Sequence, residues 1–314
     1  MECKICGNGN LSLITQTLRG GTEGRVYYCP NCDLGVLEPR DLNVKEYYDS
    51  EYRKKFTDHL KKPESDPEDI FNSRKNYQDD RIDIVKKYFD KNKSFLEIGC
   101  SAGQFLRHIK DSFEKCEGVE LDSKCADFVE NKFNIKVCKN ELSQCGFEKE
   151  SFDFIAAFQV LEHTLNPAEF LFDVKKHLKD GGKIFIEVPN LYDALLKVWQ
   201  IPAYQRFYYH EAHTHYFSKK SLEKLFEKTG YKIDEIHFIQ DYNLLNHFYW
   251  YFMNGPQEDC RFGLDKPNIE FSKEHSEIGD KLNALFKDFD AEYRKILSDN
   301  EITSNIFVVA SKKL

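Results

Sequence analysis

Predicted strands and helices alternate along most of this chain, and the first strand and helix of the series are joined by a turn rich in glycine. The stretch FLEIGCSAGQFL, residues 95–106, predicts a buried strand, a turn with Gly99 and Gly103, and the start of a helix. Further apolar runs predict six more strands, at 116–121, 135–138, 152–160, 183–189, 231–239 and 306–310. Helical patterns fill most of the intervals, so we expect an α/β fold with a doubly wound, mostly parallel sheet.

The net charge and the hydropathy of the chain limit the kinds of molecule that it is expected to bind. The 314 residues carry a formal net charge of −8, which makes the chain a poor partner for nucleic acid or an anionic membrane. No apolar run reaches the length of a membrane span, and the first residues, MECKICGNGN, lack the apolar core of a signal peptide. We therefore expect a cytoplasmic protein without nucleic-acid or membrane partners, and the oligomeric state stays open.

Three units are expected along the chain. Residues 1–40 carry two cysteine pairs, and residues 41–70, with two prolines and a run of charges, are expected to form a linker or lid. Residues 71–314 are expected to form the α/β domain, with an insertion at 241–303. Apolar residues recur at helical spacing over 278–296, which predicts a helix that faces a core.

Four of the ten cysteines occur in pairs spaced as C-x2-C. Each such tight turn presents two sulfurs to one tetrahedral ion, so the two pairs predict a zinc ribbon, a structural site without an open coordination position. A redox-active dithiol is the alternative. The four predicted ligands are Cys3, Cys6, Cys29 and Cys32. The remaining six are expected to be small core residues kept reduced, namely Cys100, Cys116, Cys125, Cys138, Cys145 and Cys260.

One interpretation of the glycine turn is the nucleophile elbow of a serine hydrolase. Residues 99–103 fit G-x-S-x-G, with Ser101 as the nucleophile and with Glu162 and His210 as the other members of a triad. Two observations count against it. The turn follows the first strand of the predicted core, and no HGGG-type oxyanion loop precedes it in the sequence.

The same turn also fits a loop that holds a nucleotide-like cofactor. Glu97 lies just before it and can accept hydrogen bonds from an ammonium group, while Gly99 and Gly103 let the backbone approach a ligand. Glu120 follows the next predicted strand, where a carboxylate can reach a ribose diol. The glycine spacing differs from the G-x-G-x-x-G of dehydrogenases, which favours a ligand without a pyrophosphate.

Four stretches in combination resemble the class I S-adenosylmethionine-dependent methyltransferases: FLEIGCSAGQFL, GVELD, FDFIAAFQVLEH and GGKIFIEVPN. The resemblance covers roughly residues 70–240 and the last strand, and it implies a Rossmann-like sheet of seven strands. The cofactor-binding residues that it implies are Glu97, Gly99, Ser101 and Gly103 at the methionine part, Glu120 and Leu121 at the ribose, Asn140, Glu141 and Leu142 at the adenine, and Gln159 at the methionyl group.

A cysteine ribbon ahead of such a domain is similar to sugar C-methyltransferases of deoxysugar pathways and to their relatives in glycan assembly. Those enzymes carry a Tyr-His-Glu-His stretch after the fifth strand, and this chain has YHEAH at 209–213, with one inserted residue. Histidine titrates near neutral pH and suits a general base. The catalytic candidates are Tyr209, His210, Glu211 and His213 in this stretch and His163 after the fourth strand. The spacing H-x2-H-x-H can also bind a metal.

The expected function is therefore methyl transfer from S-adenosylmethionine to a small-molecule acceptor, a sugar or nucleotide sugar for surface-glycan or natural-product biosynthesis. An RNA or protein methyltransferase that uses the ribbon for recognition is the main alternative. Only Lys4, Arg19 and Arg25 are basic before Arg40, which disfavours RNA. The serine hydrolase and a non-catalytic adaptor are the remaining alternatives. The sequence does not say whether an O, N or C atom is methylated.

Overall fold

The computed structural model describes residues 1–39 and 66–313. This part of the chain forms two sheets. In chain order their strands are β1 (Ser12–Thr17), β2 (Glu23–Cys29), β3 (Leu34–Leu37), β4 (Asp90–Ile98), β5 (Phe113–Val119), β6 (Lys136–Cys138), β7 (Phe152–Phe158), β8 (Leu178–Pro189), β9 (His215–Tyr216), β10 (Tyr231–Ile239) and β11 (Asn305–Lys312).

The larger sheet has seven strands in the order β10-β11-β8-β7-β4-β5-β6. Five neighbouring strands are mutually parallel, namely β8, β7, β4, β5 and β6. In contrast, β11 is antiparallel to both of its neighbours, β8 and β10. All seven strands predicted from the sequence are present. The Rossmann-like α/β fold class is therefore confirmed, and the carboxyl ends of the parallel strands form one edge where loops can meet.

The helices of the described residues lie between these strands and in the insertion. They are α1 (Pro67–Arg74), α2 (Asp79–Val85), α3 (Leu106–Ile109), α4 (Ser123–Phe133), α5 (Pro167–His177), α6 (Ala194–Lys197), α7 (Pro202–Tyr208), α8 (Lys219–Lys228), α9 (Leu244–Met253), α10 (Arg261–Leu264) and α11 (Ser276–Asp299). Side-chain caps set several of their starts. The Asp122 carboxylate accepts the backbone N–H groups of Lys124 and Cys125 at the start of α4.

The expected linker or lid lies outside the described residues as far as residue 65. Its last residues are described, and α1 already begins at Pro67, ahead of the expected domain start at residue 71. None of the helices in 66–313, and none of the shorter turns in 1–39, combines the length and the apolar character that a membrane crossing requires.

Both faces of the seven-stranded sheet are buried. Alternate residues of each central strand enter two different apolar clusters, with Leu96 and Ile155 on one face and Phe95 and Phe154 on the other. Phe95 also stacks on Phe185 of the next-but-one strand, with ring centroids 6.1 Å apart. A parallel sheet covered on both faces explains why its strands are almost continuously apolar in sequence.

The small sheet links the N-terminal residues to the larger domain. Its order is β1-β2-β3-β9, and β3 pairs with β9 through Gly35 opposite Tyr216 and Val36 opposite His215. The Leu37 N–H donates to the Thr214 carbonyl at 2.9 Å, which extends the pairing. The cysteine module thus shares a sheet with the segment that carries the predicted catalytic histidines.

Two of the cysteines expected to stay reduced form a disulfide. Cys138 at the end of β6 is bonded to Cys145, seven residues further on, so that part of the expectation is wrong. The ring encloses residues 140–142, which the resemblance placed beside the adenine. The sequence gives no sign of this pairing, because the two sulfurs meet only when the chain turns back through the short 3-10 helix Leu142–Gln144.

The long helix of the insertion is confirmed, but its predicted orientation is wrong. Four residues of its apolar pattern remain about half exposed, namely Ile278, Leu285, Phe289 and Ile296. The buried side instead contains Asp290, which accepts from Arg294 Nε at 2.7 Å and from the Leu244 N–H at 2.6 Å. This polar anchor to α9 decides which face of α11 is turned inward.

Candidate functional site

The glycine turn after β4 has a left-handed backbone at both glycines. Gly99 has φ +72° and Gly103 has φ +78°. A Cβ on Gly99 would lie 2.5 Å from Cγ2 of Val160, and one on Gly103 would lie 3.0 Å from Cγ2 of Val129. Both glycines are therefore needed for close packing against the β7 turn and α4, in addition to their backbone conformation.

The turns after β4 and β5 are held together by one carboxylate. Glu120 accepts the Ser101 N–H at 2.7 Å and the Asp122 N–H at 2.8 Å. The Glu120 N–H donates to the Cys138 carbonyl at 3.0 Å, which brings in the end of β6. Leu121 follows Glu120 directly in this turn. The structure thus brings the predicted methionine-side and ribose-side residues together.

Glu97 is the most deeply buried of the predicted cofactor ligands. Its side chain is 4% exposed, and its Oε2 has no hydrogen-bond partner among the described residues. Burial raises the pKa of this carboxyl to about 8; the nearby Arg81 opposes the rise and Glu120 adds to it. A buried acceptor that lacks a donor fits the ammonium group of the methionine part of S-adenosylmethionine.

A large cleft opens at the carboxyl edge of the sheet, with a volume of about 1060 Å³. It joins two sets of predicted residues: Glu97, Gly99, Ser101 and Gln159 from the cofactor set, and His210 and His213 from the catalytic set. The other predicted cofactor residues do not line its wall in the described part of the chain, namely Gly103, Glu120, Leu121, Asn140, Glu141 and Leu142. The cleft therefore extends from the methionine side toward the histidines, away from the adenine loop.

Gln159 sits at the end of β7 with a left-handed backbone, φ +56°. Its side-chain amide donates to Glu187 Oε1 at 2.9 Å and to Asn305 Oδ1 at 3.1 Å. A non-glycine residue in this conformation at a cleft wall is held there by its surroundings, and such strain is concentrated at functional sites.

Sequence reasoning missed Glu187 and Arg81, which form an ion pair in the lining of the cleft, with Glu187 buried and Arg81 partly exposed. Arg81 Nε donates to Glu187 Oε2 at 2.9 Å, and the Glu187 side chain is 2% exposed. Burial alone would raise the pKa of Glu187, but the charge and hydrogen bonds of Arg81 leave it lowered. The signal available in the sequence was the single acid in the apolar run IFIEVP.

The histidine segment contributes two side chains, His210 and His213, to the lining of the same cleft. The rings of His210 and His213 have centroids only 3.7 Å apart. Burial lowers the pKa of both imidazoles well below the ordinary value, and the charges of neighbouring cationic groups act in the same direction. Tyr209 instead packs its ring on Tyr216 in an apolar cluster, and Glu211 does not line the cleft within the described residues.

His213 also belongs to a second cluster, which the sequence did not predict as a unit. Its members are Glu162, His163 and His213. Glu162 Oε1 is 3.8 Å from His163 Nε2 and 3.9 Å from His213 Nε2. Glu162 is 1% exposed, and burial raises its pKa to about 8. The structure therefore brings the predicted His163 and His213 together, around an acid that was considered only as a triad member.

The four N-terminal cysteines also converge. Their sulfurs lie within 4.8 Å of one another, and the Cys6 and Cys29 sulfurs are 3.7 Å apart. Zinc–sulfur bonds of about 2.3 Å in a tetrahedron place the sulfurs about 3.8 Å apart. Both the donor set and its spacing fit a four-coordinate zinc ion.

Comparisons with known proteins identify the family of the α/β domain. A profile of the methyltransferase domain family matches residues 72–236, more than half of the chain. The chain belongs to this methyltransferase family, and it is an S-adenosylmethionine-dependent methyltransferase.

Among proteins of similar sequence, an uncharacterized protein of Methanocaldococcus jannaschii is 28% identical over 191 residues, which is 61% of this chain and 82% of that protein. The ubiquinone biosynthesis O-methyltransferase of Hydrogenovibrio crunogenus is 24% identical over 118 residues, 35% of this chain and 48% of that enzyme. The chain thus spans about half the length of this named enzyme.

Solved structures share the fold. A SAM-dependent methyltransferase from Archaeoglobus fulgidus superposes with a TM-score of 0.50 at 19% identity, covering 78% of this chain and 97% of that one. A chain from a Haloferax volcanii complex of the Trm112 methyltransferase activator and a putative methyltransferase gives 0.52 at 13% identity, covering 88% and 100%.

Proposed function

We propose that the chain transfers the methyl group of S-adenosylmethionine to a hydroxylated small molecule, a sugar or a nucleotide sugar used in glycan or natural-product biosynthesis. The observation that carries this proposal is the cleft of about 1060 Å³, whose lining includes residues of the glycine turn together with the imidazoles of His210 and His213. Methyl transfer depends mainly on in-line placement of the acceptor, and one cleft lined by both groups permits it. The cytoplasmic location expected from the sequence stays a prediction.

The walls of the cleft suit hydroxyl groups. Carboxylate and amide side chains line it from several elements, among them Asp193, Asp241 and Asn305. Lys266 and Lys287 line it on the insertion side, where a phosphate of a nucleotide sugar would find cationic partners. A site built from hydrogen-bonding groups rejects ligands that leave those groups unpaired, which favours a polyhydroxylated acceptor.

Within this proposal the cofactor supplies an electrophilic methyl group when bound, and the chain provides its ligands. The orphaned Glu97 Oε2 would accept from the ammonium group. Gly99, Ser101 and Gly103 would follow the methionine part, Glu120 and Leu121 the ribose, and Gln159 the methionyl group. The loop with Asn140, Glu141 and Leu142 would cover the adenine.

The catalytic roles are narrowed by the placement of the candidates. We assign contact with the acceptor to the imidazole pair, His210 and His213, because both line the cleft, and we assign removal of the acceptor's proton to His210. His163 stands behind them and positions the segment, its Nδ1–H donating to the Ala212 carbonyl at 2.8 Å. Tyr209 and Glu211 would act only by holding the segment in place.

We further propose that Cys3, Cys6, Cys29 and Cys32 bind a structural zinc ion whose role is to support the histidine segment. Besides the β3–β9 pairing, the Ser218 hydroxyl donates to the Asp33 carbonyl at 2.7 Å, just beyond the cysteine turn. The Arg19 N–H donates to the Tyr209 carbonyl at 2.7 Å. The ribbon is thus tied to both ends of residues 209–218.

The first experiment is calorimetric titration with S-adenosylhomocysteine. Wild-type protein is expected to bind it with micromolar affinity, and Glu120→Ala is expected to bind at least tenfold more weakly because the turns after β4 and β5 lose their shared acceptor. The exposed Glu169→Ala on α5 is the matched control. Absence of binding to folded wild-type protein would overturn the assignment of the cofactor site.

The acceptor is tested by methyl transfer from labelled S-adenosylmethionine to panels of nucleotide sugars, free sugars, RNA and protein. Transfer to a nucleotide sugar is expected, and His210→Asn is expected to lower kcat at least about 100-fold with unchanged affinity for S-adenosylhomocysteine. Transfer confined to RNA or protein would contradict the proposed acceptor class while leaving the cofactor site intact.

A further inference from the structure

Glu162 presents a buried carboxyl group for which the described residues supply no hydrogen-bond donor. It follows β7 in the 3-10 helix Leu161–His163, and neither of its oxygens has a hydrogen-bond partner among the described residues. Its side chain is 1% exposed, so water at the surface does not solvate it. An unsatisfied buried carboxylate is costly, and most such groups in proteins are paired with a cation or bound to a metal.

The two imidazoles beside it are oriented with a nitrogen toward this carboxylate. His163 Nδ1 lies 2.8 Å from the Ala212 carbonyl, and because a carbonyl only accepts, Nδ1 must carry the proton. In the neutral ring Nε2 then presents its lone pair, 3.8 Å from Glu162 Oε1. A backbone carbonyl that fixes the other ring nitrogen is the common arrangement around metal-ligating histidines.

The distances between the ligand atoms of Glu162, His163 and His213 are close to those around a bound metal ion. His213 Nε2 lies 3.9 Å from the same oxygen, and the three ligand atoms all lie within 4.8 Å of one another. These distances are too long for hydrogen bonds. Bonds of about 2.1 Å to a tetrahedral ion place the ligand atoms about 3.4 Å apart, so each of the two separations from Glu162 needs to shorten by about 0.5 Å to hold one.

We propose that Glu162, His163 and His213 form a binding site for one divalent transition-metal ion, distinct from the four-cysteine site. Two imidazoles and one carboxylate favour Mn²⁺, Fe²⁺, Co²⁺ or Zn²⁺ over Mg²⁺ and Ca²⁺, which prefer all-oxygen sites. Three protein ligands leave coordination positions open, as in catalytic metal sites and unlike closed structural ones.

The site borders the cleft, where a bound ion could contact the acceptor. His213 belongs both to the cluster and to the cleft wall, so an ion there would lie behind the position of the acceptor. The role toward the acceptor rests on the proposed function: an open coordination position would bind and orient an acceptor hydroxyl. Binding of the ion itself depends only on the three ligands.

The test is titration of Mn²⁺ alone, followed by electron paramagnetic resonance, into protein whose cysteine site is filled with zinc. Mn²⁺ is a poor competitor for thiolates, so it reports on the histidine–carboxylate site. One equivalent is expected to bind wild-type protein. Glu162→Gln keeps the shape of the side chain and is expected to weaken binding at least tenfold, as is His213→Gln.

The matched control is Glu169→Gln, the same change at an exposed position of α5, which is expected to bind Mn²⁺ like wild type. Far-ultraviolet circular dichroism and the zinc content of each variant report whether it has folded. The proposal is overturned if folded wild-type protein binds no Mn²⁺, or if Glu162→Gln and His213→Gln both bind it like wild type. Because no cofactor or acceptor is present, failure of the proposed function would not alter this result.

Discussion

Two clusters of side chains that could hold a metal ion lie near the small sheet, and they differ in donor set and in position relative to the cleft. The N-terminal cluster has four sulfurs from two tight turns, and none of its cysteines lines the large cleft. The second combines Glu162 and His163 after β7 with His213 near β9, and it borders the large cleft. A closed set of four sulfurs suits a structural ion, whereas two imidazoles and one carboxylate leave room for a ligand.

The comparison shows how the cysteine module and the histidine segment are connected, through a few backbone pairings between β3 and β9. β3 leads directly from the second cysteine turn, and its partner β9 contains His215, two residues after His213. Support of the histidine segment by the ribbon is therefore mechanical, through hydrogen bonds, with no need for the ribbon itself to touch a substrate. The predictions below test this coupling and the difference between the two clusters.

The largest effect is expected from Cys32→Ser. Loss of a metal site is among the few single changes that destabilise a protein by about 4 kcal/mol or more. We expect loss of bound zinc, a lower thermal midpoint, and Mn²⁺ binding at the second cluster weakened at least tenfold, measured by metal analysis, calorimetry and paramagnetic resonance. Cys116→Ser, which removes a thiol outside the cluster, is the control. Unchanged Mn²⁺ affinity in a zinc-free variant would show that the two clusters are independent.

A smaller effect is expected for the pH dependence of cofactor binding, which should depend on Glu97 and not on Glu162. Both are buried acids at neighbouring strands: Glu97 lies near the end of β4, and Glu162 follows β7. Burial raises the pKa of each to about 8, but Glu97 faces the predicted position of the cofactor ammonium. Because Glu97 must lose its proton to bind an ammonium group, affinity for S-adenosylhomocysteine is expected to increase from pH 6 to pH 8, by up to about tenfold per unit. The increase should level off above pH 8.

Calorimetric titrations at several pH values check this dependence in matched variants. Glu97→Gln cannot titrate and is expected to bind weakly with a flat profile. Glu120→Gln, which changes a carboxylate at the next strand end, should bind more weakly than wild type yet keep the slope. A Glu97→Gln profile as steep as that of the wild type would assign the pH dependence to another group.

The smallest effect is expected from Gly35→Ala, which perturbs the β3–β9 contact alone. The added Cβ would lie 3.0 Å from Cβ of Tyr216, so the strands must separate slightly. Overpacking of this kind costs about 1–2 kcal/mol. Gly9→Ala is the matched control, since a Cβ there meets nothing within 4 Å. Thermal unfolding and kcat measure the outcome, and equal behaviour of the two variants would argue against coupling through this pair.

Much of the larger domain could be predicted from the sequence. The seven strands are apolar runs because both faces of the sheet are buried, and that pattern is local. The glycine turn and Glu97 were recognisable for the same reason. The insertion helix was recognisable too, but its orientation was not, since Asp290 is turned inward through a contact with Leu244 at the start of α9, which the sequence does not show.

The sequence predicted residues 209–213 as one group of catalytic candidates, but it did not predict which of their side chains come together. These residues are adjacent in sequence, yet their side chains separate: His210 and His213 reach the cleft, while Tyr209 enters an apolar cluster. Glu187 and Arg81 were missed because an ion pair between distant elements has no sequence spacing of its own.

The class of fold, the cofactor loop and the two cysteine pairs could be predicted from the sequence, because each depends on residues a few positions apart. Strand periodicity, turn conformation and the reach of a C-x2-C turn are properties of short segments. Three contacts became visible only in the folded chain: Glu162 lies beside His213, Cys138 is bonded to Cys145, and β3 pairs with β9. Those contacts depend on which strands become neighbours, and that is settled by burial of the whole sheet rather than by any one segment.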